Sequence, residues 1–203
     1  MSKIWIDFKL AGGIFLACLL VFVAFDRIDV FWYLYTATIL FLISYSIINE
    51  PPDNEAATKQ YITYGILSGS ALYGLFFAAD WMLEIMPGHL KTQVDNIYAR
   101  FTFDFFWHYL VLIFIIIPGE EIFWRGFILK RLMDWMNPTA AILAGAFLNA
   151  AAFYFTGYSI LMIAAFVSGL AWGWLYIWKR SIPLVIISHL TFDLLLLIIF
   201  PLQ

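Results

Sequence analysis

Long apolar stretches recur from one end of this chain to the other, and they constrain its fold more than any other feature. A helix needs about 20 mostly apolar residues to cross the hydrocarbon region of a bilayer. Seven segments approach that length: 10–25, 30–48, 61–79, 101–118, 138–156, 158–178 and 182–201. Because 64% of the residues are hydrophobic, a soluble core could not bury them all, and lipid must cover much of the surface. The sequence predicts an all-α, polytopic membrane helix bundle.

A further segment, from Glu120 to Met136, mixes apolar with charged residues. It either extends the fourth span past Pro118 or lies partly embedded as an eighth helix. We therefore expect about seven to eight helices. None of the breaks between the spans is long enough for a soluble domain, so residues 1–203 should form a single membrane domain.

The basic residues near the span ends indicate how the chain is oriented, because cytoplasmic loops are enriched in lysine and arginine. If the amino terminus is cytoplasmic, alternating crossings place eight basic residues on that side: Lys3, Lys9, Lys59, Arg125, Lys130, Arg131, Lys179 and Arg180. The opposite side then has three: Arg27, Lys91 and Arg100. The sequence predicts an integral, multi-pass protein with its amino terminus in the cytoplasm.

Charge and cysteine content exclude two classes of function. The 11 basic and 14 acidic residues are scattered, and no basic stripe could follow a nucleic-acid backbone. Cys18 is the single cysteine, so neither an internal disulfide nor a cysteine-rich metal cage can form. The partners we expect are membrane lipid and a hydrophobic or lipidated peptide, with no nucleic acid.

Two adjacent glutamates follow Pro118-Gly119, a dipeptide that can interrupt a helix. Arg125 is four residues after Glu121, on the same helical face, and should hold its carboxylate. Glu120 points about 100° away and is free to take a proton from water. The alternative, that both acids join an interfacial cluster with the nearby basic residues, is equally compatible with these residues alone.

A histidine and an aspartate form the second polar feature at membrane depth. His189 is about ten residues into the last span, and Asp193 is one turn further on the same face. Ionisable side chains at this depth are costly and usually functional. The carboxylate can fix the tautomer of the imidazole, whose other nitrogen can stabilise an oxyanion or bind a metal. The alternative is a pair that only ties helices together.

Three other ionisable residues fit structural roles better. Asp80 and Asp104 lie close to predicted span ends, where interfacial water solvates them. His108 is twelve residues before Glu120, which separates the two by roughly 18 Å along a continuous helix. We do not expect His108 and Glu120 to share a site.

The segment Glu120-Glu121-Ile-Phe-Trp-Arg125 resembles the EExxxR motif of the CAAX protease and bacteriocin-processing (CPBP, Abi) family of intramembrane proteases, the type II CAAX prenyl endopeptidase-like proteins. The last two spans are similar to those of that family as well. They contain Phe166, Gly169, Gly173 and Tyr176, then Lys179-Arg180-Ser181-Ile-Pro183, then His189-xxx-Asp193. The resemblance covers residues 101–203.

The resemblance implies roles for these residues. Glu120 would activate water, Glu121 and Arg125 would support it, and His189 with Asp193 would stabilise the oxyanion. The implied reaction is hydrolysis of a peptide bond at membrane depth, in a bacterial cell membrane. A divalent metal such as zinc is possible by family. Trp124 and Asn149 are candidate substrate-binding residues.

One departure affects the implied activity. The family's middle motif, FxxxH, supplies a histidine that works with the first glutamate, but here Phe147 is followed by Ala151 at that position. Asn149 is the nearest polar residue and a poor base. Because catalytic zinc usually takes three protein ligands, the ligand set looks incomplete. An intramembrane endopeptidase is the leading hypothesis; a catalytically impaired binding, immunity or scaffold protein and a proton-coupled transporter are alternatives.

Overall fold

The computed structural model describes residues 7–85 and 88–202, which form eight helices and no strand. Lys3, used above for the orientation, lies outside the described residues. The helices are α1 (Phe8–Asp26), α2 (Phe31–Asn49), α3 (Thr58–Ile85), α4 (His89–Arg100), α5 (106–132), α6 (Pro138–Ala152), α7 (Ser159–Lys179) and α8 (Ile182–Ile199). Six of them, α1, α2, α3, α6, α7 and α8, are each long and apolar enough to cross a membrane. The prediction of an all-α, multi-pass membrane helix bundle is confirmed.

Helix α5 differs from the predicted fourth span. It begins at residue 106 rather than 101, and it continues without a break to residue 132. Two stretches, Leu112–Ile116 and Ile122–Leu129, are π-helical. A proline ring clashes with the carbonyl four residues earlier in a regular α-helix, and the wider turns before Pro118 relieve that clash. The two glutamates therefore lie inside a helix rather than at the start of a new one.

Helix α4 occupies part of the predicted break between Glu84 and Arg100. It is amphipathic, and it is tied to the end of α3 by an ion pair in which Nζ of Lys91 lies 3.2 Å from Asp80. Asp80 is buried at this contact. The ion pair with Lys91 explains why a carboxylate is tolerated near the end of α3.

A close helix contact joins α3 to α8, the helix that holds His189. Gly65 and Gly69 lie on one face of α3, against Leu184, Ile187, Ser188 and Thr191 of α8. A methyl group on Gly69 would overlap the carbonyl oxygen of Ser188. Small residues permit such approach between membrane helices. The packing of α3 thus fixes the backbone next to His189.

The substitution Gly69→Ala is expected to lower the free energy of unfolding by about 1–3 kcal/mol, because the added methyl group forces α3 away from α8. Gly74→Ala is the matched control on the same helix, since its methyl group meets no atom within 4 Å. Thermal unfolding in detergent micelles compares the two variants. Equal unfolding temperatures would show that α3 does not press against Ser188.

The long helices α1, α2, α3, α5, α6, α7 and α8 alternate in direction along the chain, so the bundle has two distinct ends. Polar contacts join the start of α1 to the ends of α2 and α5: Arg131 binds Asp7 and Glu50. The loop at 50–57 joins the ends of α5 and α7 and the start of α8: Lys130 binds Asp53, and the amide of Glu55 donates to the carbonyl of Arg180. We call this the basic end; the other is the distal end.

Candidate active site

Glu120 lies near the middle of α5, with its side chain turned toward the amino-terminal part of α2. The hydroxyl of Tyr35 donates a hydrogen bond to Oε1 of Glu120 over 2.6 Å. Among the described residues, no lysine or arginine nitrogen lies within 4 Å of this carboxylate. Glu120 is therefore a carboxylate at membrane depth whose only hydrogen-bond partner there is neutral.

Glu121 is fully buried and faces away from Glu120, toward α8. Its Oε1 lies 3.1 Å from Nη1 of Arg125 and 2.6 Å from Nδ1 of His189. On the other side of the imidazole, Nε2 lies 3.5 Å from Oδ2 of Asp193. These four side chains form one polar chain between α5 and α8. The i,i+4 spacing predicted the Glu121–Arg125 contact but not the contact between Glu121 and His189.

Trp172 of α7 contacts both side chains that pair with Glu121. Its ring stacks on the His189 imidazole, with centroids 3.9 Å apart and planes at 27°, and the Arg125 guanidinium lies 5.2 Å from its centroid. The indole Nε1 donates to Oγ of Ser188, 3.2 Å away. Trp172 fixes His189 and Arg125 against each other. The sequence reasoning did not assign it a role.

A cavity of about 410 Å³ leads to Glu120 from the distal end of the bundle. Its deep wall is formed by Tyr35, Glu120 and Asp193, and Thr102 and Asp104 line its exposed rim. Aromatic side chains cover much of the remaining wall: Phe25, Phe31, Trp32, Tyr98, Phe101, Phe103 and Tyr109. Glu120 and Asp193 thus share one space, which an apolar or aromatic ligand can enter.

The two residues proposed to bind substrate lie elsewhere. Asn149 is buried on α6, and its amide donates to the carbonyl of Ala165 on α7 over 3.5 Å. Trp124 lines a small void of about 10 Å³ beside Arg125 and Gly145. Neither lines the cavity at Glu120.

The phenylalanine of the expected middle motif does not point toward the site. Phe147 is 65% exposed on the outside of α6, where lipid would cover it, and Ala151 is half-buried. Neither lines the cavity that contains Glu120.

The other ionisable residues at helix ends have local partners. The carboxylate of Asp104 accepts a hydrogen bond from Thr102 over 2.9 Å. His108 is buried and stacks on Trp32, with centroids 4.5 Å apart, in a pocket outside the one that contains Glu120. Together with the Asp80–Lys91 pair, these contacts support structural roles for all three.

The donor groups do not fit a zinc site. A catalytic zinc takes three protein ligands and keeps a fourth position for water. Within residues 7–85 and 88–202, no three His, Cys, Asp or Glu side chains converge to hold a metal ion. The one buried imidazole with acidic neighbours, His189, already has a carboxylate oxygen at each nitrogen.

Comparison with known protein families gives a match over residues 102–195. The matching family is the type II CAAX prenyl endopeptidase Rce1-like family. The matched range is a little under half of the chain, and it contains Glu120, Glu121, Arg125, His189 and Asp193. This is the family that the EExxxR and HxxxD motifs resemble. Comparisons with curated proteins and with solved structures gave no match.

The Rce1-like range coincides with the part of the bundle that builds the polar chain. It starts just before α5 and ends within α8, and it includes Trp172 on α7. Tyr35 lies on α2, outside the matched range, although it supplies the hydrogen bond to Glu120. The family match supports a CAAX-type protease in general, embedded in a membrane.

Proposed function

We propose that this protein is an intramembrane endopeptidase that hydrolyses a peptide bond of a membrane-associated or hydrophobic peptide. The observation that carries the proposal is the Glu120 carboxylate, which lines a cavity at membrane depth with Tyr35 as its hydrogen-bond partner. A carboxylate without a cation of its own can serve as a general base toward water. The Rce1-like match over the same helices supports this class of reaction.

In the proposed reaction, Glu120 takes one proton from a water molecule while the water oxygen bonds to the carbonyl carbon of the substrate. The tetrahedral intermediate then breaks its C–N bond, and the proton moves from Glu120 to the leaving amine. The products are a carboxylic acid and an amine. The cavity of about 410 Å³ offers volume for part of a peptide beside Glu120.

Tyr35 is a candidate for the hydrogen-bond donor that Ala151 cannot supply. Its hydroxyl lies 2.6 Å from Glu120, so a carbonyl oxygen of the substrate at that carboxylate lies within reach of the same hydroxyl. A donor directed at the developing oxyanion stabilises the transition state. We therefore assign Tyr35 to orient Glu120 and to stabilise the oxyanion.

The geometry favours a positioning role for His189. Both of its nitrogens face carboxylate oxygens, and an imidazole can donate at both nitrogens only when it is protonated. A charged His189 would hold Glu121 and Asp193 in place and would partly offset the negative charge around the cavity. Asp193 is the member of this pair that lines the cavity.

An adjoining apolar cavity suggests how a hydrophobic substrate is held. It measures about 330 Å³ and shares part of its wall with the cavity at Glu120: Ile97, Tyr98, Leu161 and Leu197. An apolar side chain or a lipid group of the substrate would lie there, with its peptide bond at Glu120. The proposed location is a bacterial cell membrane, as the resemblance implies.

A second candidate function is a binding, immunity or scaffold protein that has lost catalysis. The observation that favours it is Ala151, which stands where the family has a histidine. The nearest polar residue, Asn149, donates to a backbone carbonyl and does not replace that histidine. Such a protein would hold a hydrophobic peptide in the same cavities without cutting it.

Hydrolysis in ¹⁸O-labelled water distinguishes the two functions. The purified protein is placed in liposomes with a library of membrane-anchored peptides, and the products are analysed by mass spectrometry. The endopeptidase should release shortened peptides whose new carboxyl group contains ¹⁸O. Peptides that co-purify with the protein but remain intact would contradict the proposal and favour the binding protein.

A further inference from the structure

We infer that the candidate active site takes its peptide from the extracytoplasmic side of the membrane. The substrate class is then a peptide segment that has left the cytoplasm or lies in the outer half of the bilayer. This inference rests on the proposed function for its substrate, whereas the direction in which the cavity opens is a separate property of the bundle.

The cavity at Glu120 opens at the distal end of the bundle. Its wall uses the end of α1, the start of α2, the end of α4, the start of α5 and the last turns of α8. The side chains of Thr102, Asp104 and Pro201 are exposed at its rim. A peptide can therefore approach Glu120 from the distal end, between α2, α4 and α8.

The path from Glu120 to the basic end is filled. Six large side chains between the polar chain and the basic end are each no more than 2% exposed: Phe127, Ile128, Tyr176, Ile182, Leu184 and Val185. Interiors packed in this way leave few voids larger than a water molecule. A peptide at the basic end would have to displace this packing to reach Glu120.

The loop at 50–57 closes the basic end over that packing. Asp53 accepts hydrogen bonds from Lys130 over 2.8 Å and from the hydroxyl of Tyr176 over 2.6 Å, and its carbonyl accepts from the amide of Ile182. Partial burial opposes ionisation of Asp53, but the bonds from Lys130 and Tyr176 outweigh it and lower the pKa of this carboxyl. The loop is thus held by an ionised aspartate at neutral pH.

The charge distribution indicates which end faces the cytoplasm. Among the described residues, six lysines and arginines lie at the basic end: Lys9, Lys59, Lys130, Arg131, Lys179 and Arg180. Three lie at the distal end: Arg27, Lys91 and Arg100. Because basic residues are retained on the cytoplasmic side, the basic end should be cytoplasmic and the cavity mouth extracytoplasmic.

Cysteine labelling in intact bacterial cells tests this inference. Cys18 is the only cysteine, so Cys18→Ala provides a background without thiols. Thr102→Cys and Pro201→Cys each place a thiol at the cavity rim, and Ala57→Cys places one in the exposed part of the loop at the basic end. A membrane-impermeant maleimide should label the two rim cysteines equally before and after permeabilisation, and Ala57→Cys only after it.

Rim cysteines that stay unlabelled in intact cells, or an Ala57→Cys variant that labels there, would overturn the inference. Membrane abundance of each variant is measured in the same cells, and two independent rim positions guard against a local folding defect. Because labelling requires no hydrolysis, reversed labelling with intact peptidase activity contradicts only the inferred side. Expected labelling without any cleavage contradicts only the proposed function.

Discussion

Replacement of Arg125 by alanine is expected to lower the free energy of unfolding by about 3–5 kcal/mol, because it breaks a buried ion pair by removing one partner. Glu121 is 0% exposed, and Arg125, at 3%, provides the guanidinium 3.1 Å from it. The same substitution removes the cation beside the Trp172 ring. Equilibrium unfolding in mixed micelles, followed by tryptophan fluorescence, measures the loss.

Arg27→Ala is the matched control for that measurement. Arg27 also pairs with a carboxylate, that of Asp26, but both side chains are more than half exposed, and exposed pairs contribute about 0–1 kcal/mol. Arg125→Lys should fall between the two, since it keeps the charge but not the planar guanidinium. If Arg125→Ala lost no more than Arg27→Ala, the buried Glu121–Arg125 pair would not be part of the folded protein.

The spanning helices were predictable because the length and hydrophobicity of each segment indicate a membrane helix without reference to the rest of the chain. An apolar run of sufficient length specifies a membrane helix whatever the rest of the chain does. The bounds of α1, α2 and α7 accordingly lie within two residues of the predicted spans. The number of helices agrees with the predicted seven to eight, but the helix beyond the seven predicted spans is α4, in the predicted break after α3.

The local sequence left the continuity of α5 open, because the segment after Pro118 could extend the fourth span or form a separate helix. Pro118-Gly119 normally indicates a helix boundary. Here the π-helical turns accommodate the proline, and Gly119 fits against Ile39 and Ile43 of α2, where a side chain would collide. The π-helical turns and the contact with α2 together account for the continuous helix at this dipeptide.

Within the site, local spacing predicted neighbours on one helix and missed neighbours on others. The pairs Glu121–Arg125 and His189–Asp193 are each four residues apart, and both are in contact. Tyr35 is 85 residues before Glu120, and no spacing rule connects them. Trp172 carries no local signal in the sequence, and its contacts with Arg125 and His189 arise only when α5, α7 and α8 assemble.

Glu120→Gln is expected to reduce peptide hydrolysis by about 10²–10⁴-fold, the usual contribution of a general base. The amide keeps the shape of the side chain and can still accept the hydrogen bond from Tyr35, but it cannot take a proton from water. Stability should be unchanged or slightly higher, because a charge without a cationic partner is removed from membrane depth. Tyr35→Phe, which keeps the base but removes its donor, should cause a smaller loss.

The kcat/KM of Glu120→Gln on a peptide whose cleavage by the wild type has been verified tests the central claim most directly. Glu84→Gln is the matched control, since it removes a half-exposed carboxylate at the distal end, away from the cavity wall. The account predicts wild-type cleavage for Glu84→Gln and a loss of at least about 10²-fold for Glu120→Gln at equal membrane abundance. Equal kcat/KM for Glu120→Gln and wild type would contradict the assignment of Glu120 as the base.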